Sequence, residues 1–373
     1  MSSTLGASFR VTTYGESHGG AVGVICDGIP ACVPVDLEQI QCQLSRRRPG
    51  QSRFTTPRQE QDLLQVSSGL EDGHTLGTPV HLWVANKDSN PKEYESMKAL
   101  YRPSHADFTT LHKYRTRPKS GGGRASARET VARVAAGAFA EQILRHFIPD
   151  LSIVAFVDQL GSVAMSADFD CHTLSREQVD QNPLRYPDLN HYESAAGLLS
   201  RVKDAGDSLG GAICCIIQGI PVGLGEPVFS KLEADLARAM LSIPACRGFE
   251  IGSGFSSITM LGSQHNDLFE QKTGGRIGTR TNYSGGVQGG ISNGEPIKFR
   301  TAFKPVSTIG LPQQTLNTAA ERVEYSPQNG RHDPCVVPRA VPIVESMAAV
   351  VLLDHFLRHR GQNSLDPMGG SQV

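Results

Sequence analysis

The sequence predicts an α+β fold in which two related halves each form a sheet and bury their long helices between them. The first observation is a repeated frame. Gly15-Glu16-Ser17-His18-Gly19-Gly20 opens an apolar run closing at Gly28-Ile29-Pro30, and Gly206-Asp207-Ser208-Leu209-Gly210-Gly211 opens one closing at Gly219-Ile220-Pro221. Of the sixteen positions from Gly15 to Pro30, nine are identical in the second copy. The second observation is that three further matches follow in the same order, which chance explains poorly. The third is a late helix, Ile343 to Leu357, apolar nearly all round and therefore expected to be buried on most sides. The expected repeats are residues 8–147 and 204–360 of a single 373-residue domain, joined by a polar segment 148–203.

Along the chain, Phe9 to Thr13 alternates weakly as a first strand, and Ala21 to Cys26 reads as the second after a polar turn. Asp36 is placed to cap a helix whose Leu37, Ile40 and Leu44 form one apolar stripe, with Val35 as a staple for Ile40. Pro49 and Gly50 end it and leave Arg46 to Arg53 as a cationic loop. Gly77-Thr78-Pro79 introduces a strand from Val80 to Ala85, whereas residues 101–124 show no periodicity. Ser126 and Glu129 match a capping box for the clearest helix, which carries Val131, Val134, Ala135, Ala138, Phe139 and Ile143. Its many alanines, with Gly137 among them, predict close packing on another element.

The second half repeats this order. Ala212 to Gln218 answers Ala21 to Asp27, and a helix capped by Ser230 and Glu233 answers the one from Asp36. Gly294 to Lys304 answers Gly77 to Lys87, and Gly330-Arg331 precedes the late helix as Gly123-Arg124 precedes the helix from Ser126. The tail from Gly361 is polar and expected to fray.

Composition narrows the function. A content of 39% hydrophobic and 20% charged residues with 39 glycines fits a soluble, turn-rich enzyme. No uninterrupted apolar run approaches the roughly 18 residues of a bilayer span, and the N-terminus resembles neither signal nor transit peptide, so cytoplasm is the expectation. The cysteines (Cys26, Cys32, Cys42, Cys171, Cys214, Cys215, Cys246 and Cys335) show no zinc spacing and read as free buried thiols. Net charge is −1, yet residues 100 to 133 carry eight Lys/Arg against two acids. The expected partner is a small, highly charged anion; no basic helix or basic-aromatic interleaving points to nucleic acid.

Three motifs could carry chemistry. Gly15 to Gly19 formally matches the G-x-S-x-G elbow of serine hydrolases, with Ser17 as nucleophile. Against it, few residues precede the motif, a strand rather than a helix follows, and the echo at 206 lacks any catalytic partner. Gly121-Gly122-Gly123-Arg124 running into a helix offers N–H groups and a guanidinium to a phosphate, although glycine loops also simply turn. His18 and His105 stand out from twelve histidines because they lie in shaped loops among arginines, where an imidazole could donate a proton. Arg331-His332-Asp333-Pro334 adds a carboxylate beside two cations, its plain alternative being a turn held by an Arg–Asp pair.

Gly15 to Gly19, Gly123-Arg124-Ala125-Ser126-Ala127-Arg128-Glu129-Thr130 and Arg331-His332-Asp333-Pro334-Cys335 resemble the three signatures of the chorismate synthase family. The arginine loop from Arg46 to Arg53, Tyr101 to Asp107 and Gly285 to Ser292 are similar to further motifs of that family, and the resemblance runs the length of the chain. It implies a β-α-β sandwich of two antiparallel sheets around long helices, and a homotetramer. It also implies anti-1,4 elimination of phosphate and a ring proton from 5-enolpyruvylshikimate 3-phosphate, with reduced FMN and, in some members, NADPH as reductant. By similarity His18 would protonate or stabilise the departing phosphate, His105 would protonate the reduced flavin near N1, and Asp333, with Ser17 relaying, would take the proton collected at flavin N5. Flavin contacts would fall on Arg124, Ala125, Ser126, Pro244, Ala245, Gly289, Lys304, Pro305, Val306, Ser307, Thr308 and Arg331. Arg47, Arg53 and Arg128 would hold substrate or a nicotinamide cofactor. Pro244 and Val306 depart from the family pattern, which more often has Asn and a hydroxyl residue there. Serine hydrolysis through Ser17 and a non-catalytic anion-binding module are the alternatives.

Overall fold

The computed structural model describes residues 3–52, 54–55, 60–87, 99–116, 122–327 and 333–363. In chain order its main elements are β1 (Thr4–Leu5), β2 (Arg10–Gly15), β3 (Ala21–Asp27), α1 (Leu37–Arg47), β4 (Leu64–Ser68), β5 (Val80–Ala85), α2 (Asp107–Tyr114) and α3 (Thr130–Phe147). They continue with β6 (Ser152–Leu160), β7 (Val163–Ala164), α4 (Leu189–Asp204), β8 (Gly211–Gln218), α5 (Leu232–Leu241), β9 (Cys246–Ile251), β10 (Ile297–Phe303) and α6 (Val337–Gln362). One antiparallel sheet has the order β1-β2-β3-β5-β4, and a second has the order β9-β10-β8-β6-β7. In the first, Ala21 faces Ala85 and Cys26 faces Val80; in the second, Ala212 faces Ala302 and Ile217 faces Ile297.

Side-chain alternation explains the first sheet. Val80, Leu82 and Val84 of β5 and Val22, Val24 and Cys26 of β3 point to the core, while His81, Trp83 and Ile25 stay on the other face. Strand β8 is instead buried throughout. Ile213, Cys215 and Ile217 join the main core, and Cys214 and Ile216 pack with Val154, Phe156 and Val179 in a smaller cluster that Met165, Cys171 and Leu174 border. Both faces being covered, the strand reads as a continuous apolar run. Residues 148–203, expected as a polar connection, thus supply the buried strand β6 as well as helix α4.

Helix α3 packs on β2, β3 and β5, helix α6 packs on β6 and β8, and the two helices pack on each other. Their contact is as close as the alanines of α3 predict. A Cβ on Gly137 would lie 2.3 Å from Ser346 Cα, so only glycine fits at that crossing. By length and composition α6 could span a bilayer, yet its apolar stretch is 94% buried in the protein, where it serves as a core helix. Pro342 inside α6 cannot donate to the carbonyl of Pro338, and Arg185 Nη1 donates to that oxygen instead, at 2.5 Å. Farther along, Asp354 Oδ1 accepts from the backbone N–H groups of Ala7, Ser8 and Phe9 at 2.9, 2.7 and 2.9 Å.

Several local expectations give way to tertiary partners. Asp36 caps α1 through Glu38 N at 2.8 Å and Ile40 and Leu44 are fully buried, but Leu37 is exposed. Ser126 caps only a 3₁₀ turn, Ala127–Glu129, and Glu129 binds Arg133 Nε at 2.9 Å rather than closing a capping box. Ser230 does not cap α5 either; its N-cap is Lys231, without a side-chain hydrogen bond. Residues 101–124, read as aperiodic, contain the short helix α2. Cys26, Cys214, Cys215, Cys246 and Cys335 are buried as expected, whereas Cys32 and Cys42 are exposed.

Gly137→Ala should destabilise the fold by about 1–3 kcal/mol, the usual cost of forcing atoms into a filled core. A lower urea midpoint at unchanged slope would register this; an unchanged midpoint would show that the crossing can open.

Candidate active site

A cavity of about 600 Å³ lies beside the starts of α3 and α6. Gly122, Ala125, Ala127 and Thr130 line it from the turn into α3, and Asp333, Val336, Arg339, Ala340 and Ile343 from the segment into α6. The link from α5 to β9 adds Ile243, Pro244, Ala245 and Arg247; the loop after β10 adds Lys304 to Ser307. Residues 102–110 close a further side with Arg102, Ser104, His105 and Asp107, and α1 supplies Arg47. Five cationic side chains therefore face the cavity against two carboxylates.

Those charges are not equivalent. Arg102 Nε pairs with Asp107 at 2.7 Å, and Arg339 Nη1 pairs with Asp333. Among the described residues, no carboxylate pairs with Lys304 or Arg247. Burial, and then Arg247, holds the Lys304 ammonium below its ordinary value, and its Nζ lies 2.5 Å from Ser307 Oγ. The positive ends of two helices add to the same field. The cavity is built for an anion.

His105 is held at both ring nitrogens. Nδ1 lies 2.9 Å from Pro103 O and Nε2 lies 2.9 Å from Thr308 Oγ1. A carbonyl only accepts, so Nδ1 carries the proton and neutral Nε2 accepts from the Thr308 hydroxyl. Burial first, then Arg102 and Lys304, holds the imidazole below its ordinary value of 6.5. His105 is thus neutral at pH 7. Ser104 and Ala245, both facing the cavity, have φ of +57° and +69°, left-handed conformations that non-glycine residues adopt at some cost.

A buried ion cluster supports the loop between β2 and β3. Arg47 Nη2 donates to Asp62 at 2.9 Å and Arg128 Nη1 to the other oxygen of the same carboxylate. Burial alone would raise the Asp62 carboxyl, but the two arginines outweigh it and hold it below the usual range. Burial also draws the Arg47 guanidinium down, to about 10, which leaves it charged at neutral pH. Arg128 Nε donates 2.9 Å to Asn86 Oδ1, and Asn86 Nδ2 donates to the carbonyls of Glu16 and Gly19 at 2.9 and 2.8 Å. Asp62 is thereby connected through two side chains to the loop that carries Ser17 and His18.

The residues expected to form the site are only partly gathered. His105, Asp333, Arg47, Ala125, Pro244, Ala245, Lys304, Pro305, Val306 and Ser307 line the cavity. Thr308 reaches it through His105, whereas Ser17, His18, Arg124, Ser126, Arg128 and Gly289 are not on the wall. Arg124 donates to Gly15 O at 3.0 Å and to Thr13 Oγ1 at 2.7 Å, which ties the end of β2 to the turn into α3. Arg128 binds Asp62 and Asn86, so its guanidinium braces the His18 loop. Arg53 and Arg331 lie outside the described residues, as do Gly121 and His332. Arg46 and Arg47 belong to α1 rather than to the expected cationic loop, and Arg46 is buried on Glu345 and Asp180, at 2.5 and 2.6 Å. Sequence reasoning missed Arg102, Arg247, Arg339, Asp62 and Asn86 as contributors.

The hydrolase alternative loses its support here. Ser17 sits in a hairpin between β2 and β3 rather than on a strand-to-helix turn, and its buried Oγ has no hydrogen-bond partner among the described residues. A cation-lined cavity at two helix starts, with a neutral histidine and a carboxylate on its wall, instead has the chemistry that an enzyme acting on a phosphorylated small molecule needs. The family model for chorismate synthase matches residues 9–357. Chorismate synthases of Methylacidiphilum infernorum and of Synechocystis are each 52% identical, over 96% and 97% of this chain and 97% and 99% of their own. The chloroplastic chorismate synthase of Capnoides sempervirens is 51% identical over 97% of this chain and 81% of its own length. A crystal structure of chorismate synthase superposes with a TM-score of 0.76 at 31% identity, covering 96% of this chain and 94% of that one. The chain belongs to the chorismate synthase family.

Asp62→Asn should cost about 3–5 kcal/mol, because it leaves the buried Arg47 and Arg128 without their shared carboxylate. Denaturant unfolding measures this directly; a loss under about 1 kcal/mol, the range of exposed pairs, would show the cluster is solvated.

Proposed function

We propose that this chain catalyses the anti-1,4 elimination of phosphate and a ring proton from 5-enolpyruvylshikimate 3-phosphate, forming chorismate with reduced FMN bound. Family membership carries the reading, and the cavity supplies its chemistry. A leaving phosphate needs positive charge where its own negative charge grows, and Lys304, Arg247 and the two helix starts provide that.

The cavity also fits a flavin. Its volume lies within the roughly 300–1,000 Å³ of small-molecule sites. Ala125, Ile243, Pro244, Ala245, Val306 and Val336 offer an apolar wall, with Ser307 and the cations beside it. Reduced FMN would lend electron density and accept the ring proton, work that side-chain bases do poorly alone. His105 would receive and return a proton at Nε2. Asp333, paired with Arg339, would take one away. Ser17, whose Oγ has no hydrogen-bond partner among the described residues, and His18 would extend the proton path from the loop that Asn86 holds.

We also read the two halves as copies of one unit, arranged as a sandwich of sheet, helix pair and sheet. The matching registers of β3 with β5 and β8 with β10 support this, as does the shared strand order. The second copy then begins near β6 rather than at 204. A homotetramer is the proposed assembly, supported by exposed Phe229, Phe255, Ile258, Phe269 and Ile277, apolar surface of the kind oligomers cover. NADPH is the proposed reductant and the cytoplasm the proposed compartment.

Anaerobic reduced FMN with substrate should give phosphate and chorismate in equal amounts; no phosphate release would sink the proposal. His18→Ala and His105→Ala should each lower kcat by about 10²–10⁴-fold. Leu209 occupies the position matching His18, so the His18 variant should keep its circular dichroism spectrum. Because an entering anion must raise the depressed His105, inorganic phosphate should bind more tightly as pH falls toward that group's midpoint. Calorimetry in two buffers should register proton uptake in the wild type and less of it in His105→Ala.

A further inference from the structure

We infer that the second copy of the repeated frame, centred on Ser208, positions the proton-handling side chains of the cavity. Ser208 Oγ donates to Val306 O at 2.7 Å, Gly310 N donates to Gly206 O at 2.7 Å, and Leu209 N donates to Pro334 O at 2.8 Å. One short frame thus grips the loop after β10 at two points and the chain beside Asp333 at a third. That loop in turn holds His105. Thr308 Oγ1 meets its Nε2 at 2.9 Å, and Ser307 Oγ donates to Ser104 O at 3.2 Å.

The grip has a fixed seat. Leu209 packs against the main core, and a Cβ on Gly210 would lie 2.6 Å from Phe303 O, so the frame and the loop meet with no space between them. The first frame is arranged the other way. Asn86 and Arg124 hold its carbonyls, and its Ser17 hydroxyl bonds to nothing among the described residues. One copy is held and presents Ser17 and His18; the other holds, and presents nothing itself. Ser208 is therefore a positioning residue that acts through Val306 and Thr308 on His105.

This rests on the proton roles given above to His105 and Asp333. The test compares Ser208→Ala with Ser208→Thr, which keeps the hydroxyl, at equal concentrations of folded enzyme. For Ser208→Ala, kcat should fall about 10–100-fold with little change in substrate KM, the scale of a misplaced catalytic group. The His105 ring signals, assigned against His105→Ala, should titrate at a higher pH than in the wild type, because a loosened loop exposes the ring. Ser208→Thr should restore both. Wild-type kcat and an unmoved His105 midpoint in Ser208→Ala would overturn the inference. So would a fall in kcat with an unmoved midpoint that threonine does not repair. If His105→Ala itself turns over normally, the proposed proton role fails instead, and the His105 midpoint alone still reports on the positioning.

Discussion

Everything in this molecule is referred to the crossing of α3 and α6, where Gly137 leaves no room for a methyl group above Ser346. Helix α3 packs on strands of the first sheet and α6 on strands of the second, so the crossing bears on how the two sheets are held relative to each other. It also fixes the site. Thr130 begins α3 about two turns before Gly137, and Ile343 lies just before Ser346, so both helices enter the cavity wall within a short, stiff distance of their contact. Packed cores transmit small shifts rather than absorbing them. A change of crossing angle would move the Gly122–Thr130 wall against the Asp333–Ile343 wall.

Charge is distributed in two populations with different physics. Arg46, Arg47, Arg128, Arg176 and Arg185 are buried or nearly so and meet Glu345, Glu141, Asp180 or Asp62. Such pairs seldom add much stability, since desolvation offsets their attraction, but each fixes where two segments must meet. Lys304 and Arg247 belong to the other population. They face a cavity without a carboxylate partner among the described residues, and the energy that a partner would have supplied is left for an anion. Net charge reported neither arrangement, because it is a sum over 36 basic and 37 acidic residues that carries no information on where each one lies.

What could be read in the sequence was local or repeated. The Asp36 cap and the apolar late helix depend on neighbours within a few residues, and both are present. The capping boxes at Ser126 and Ser230 were legible but wrong, because Arg133 drew Glu129 away and Lys231 took the cap position of α5. Within the site, His105 and Asp333 stood in recognisable motifs. Asn86, Asp62 and Arg339 did not, since their meaning comes from partners brought together from distant parts of the chain. Asp62 offers one residual signal: an acid at positive φ followed by a strand, which is visible only once the backbone is known.

The carboxylate of Asp354 has a consequence for how the chain is made. It collects three N–H groups from Ala7 to Phe9, the last of them 345 residues away, just where the first sheet begins. A ribosome adding roughly 5–20 residues per second needs about 20–70 s to cross that interval. Throughout it, the start of β2 has no acceptor for those donors, and α3 has no Ser346 against which to close. The first half can therefore gather its strands early but cannot lock them. The arrival of α6, not of the first sheet, is the moment at which these segments become a single cooperative structure.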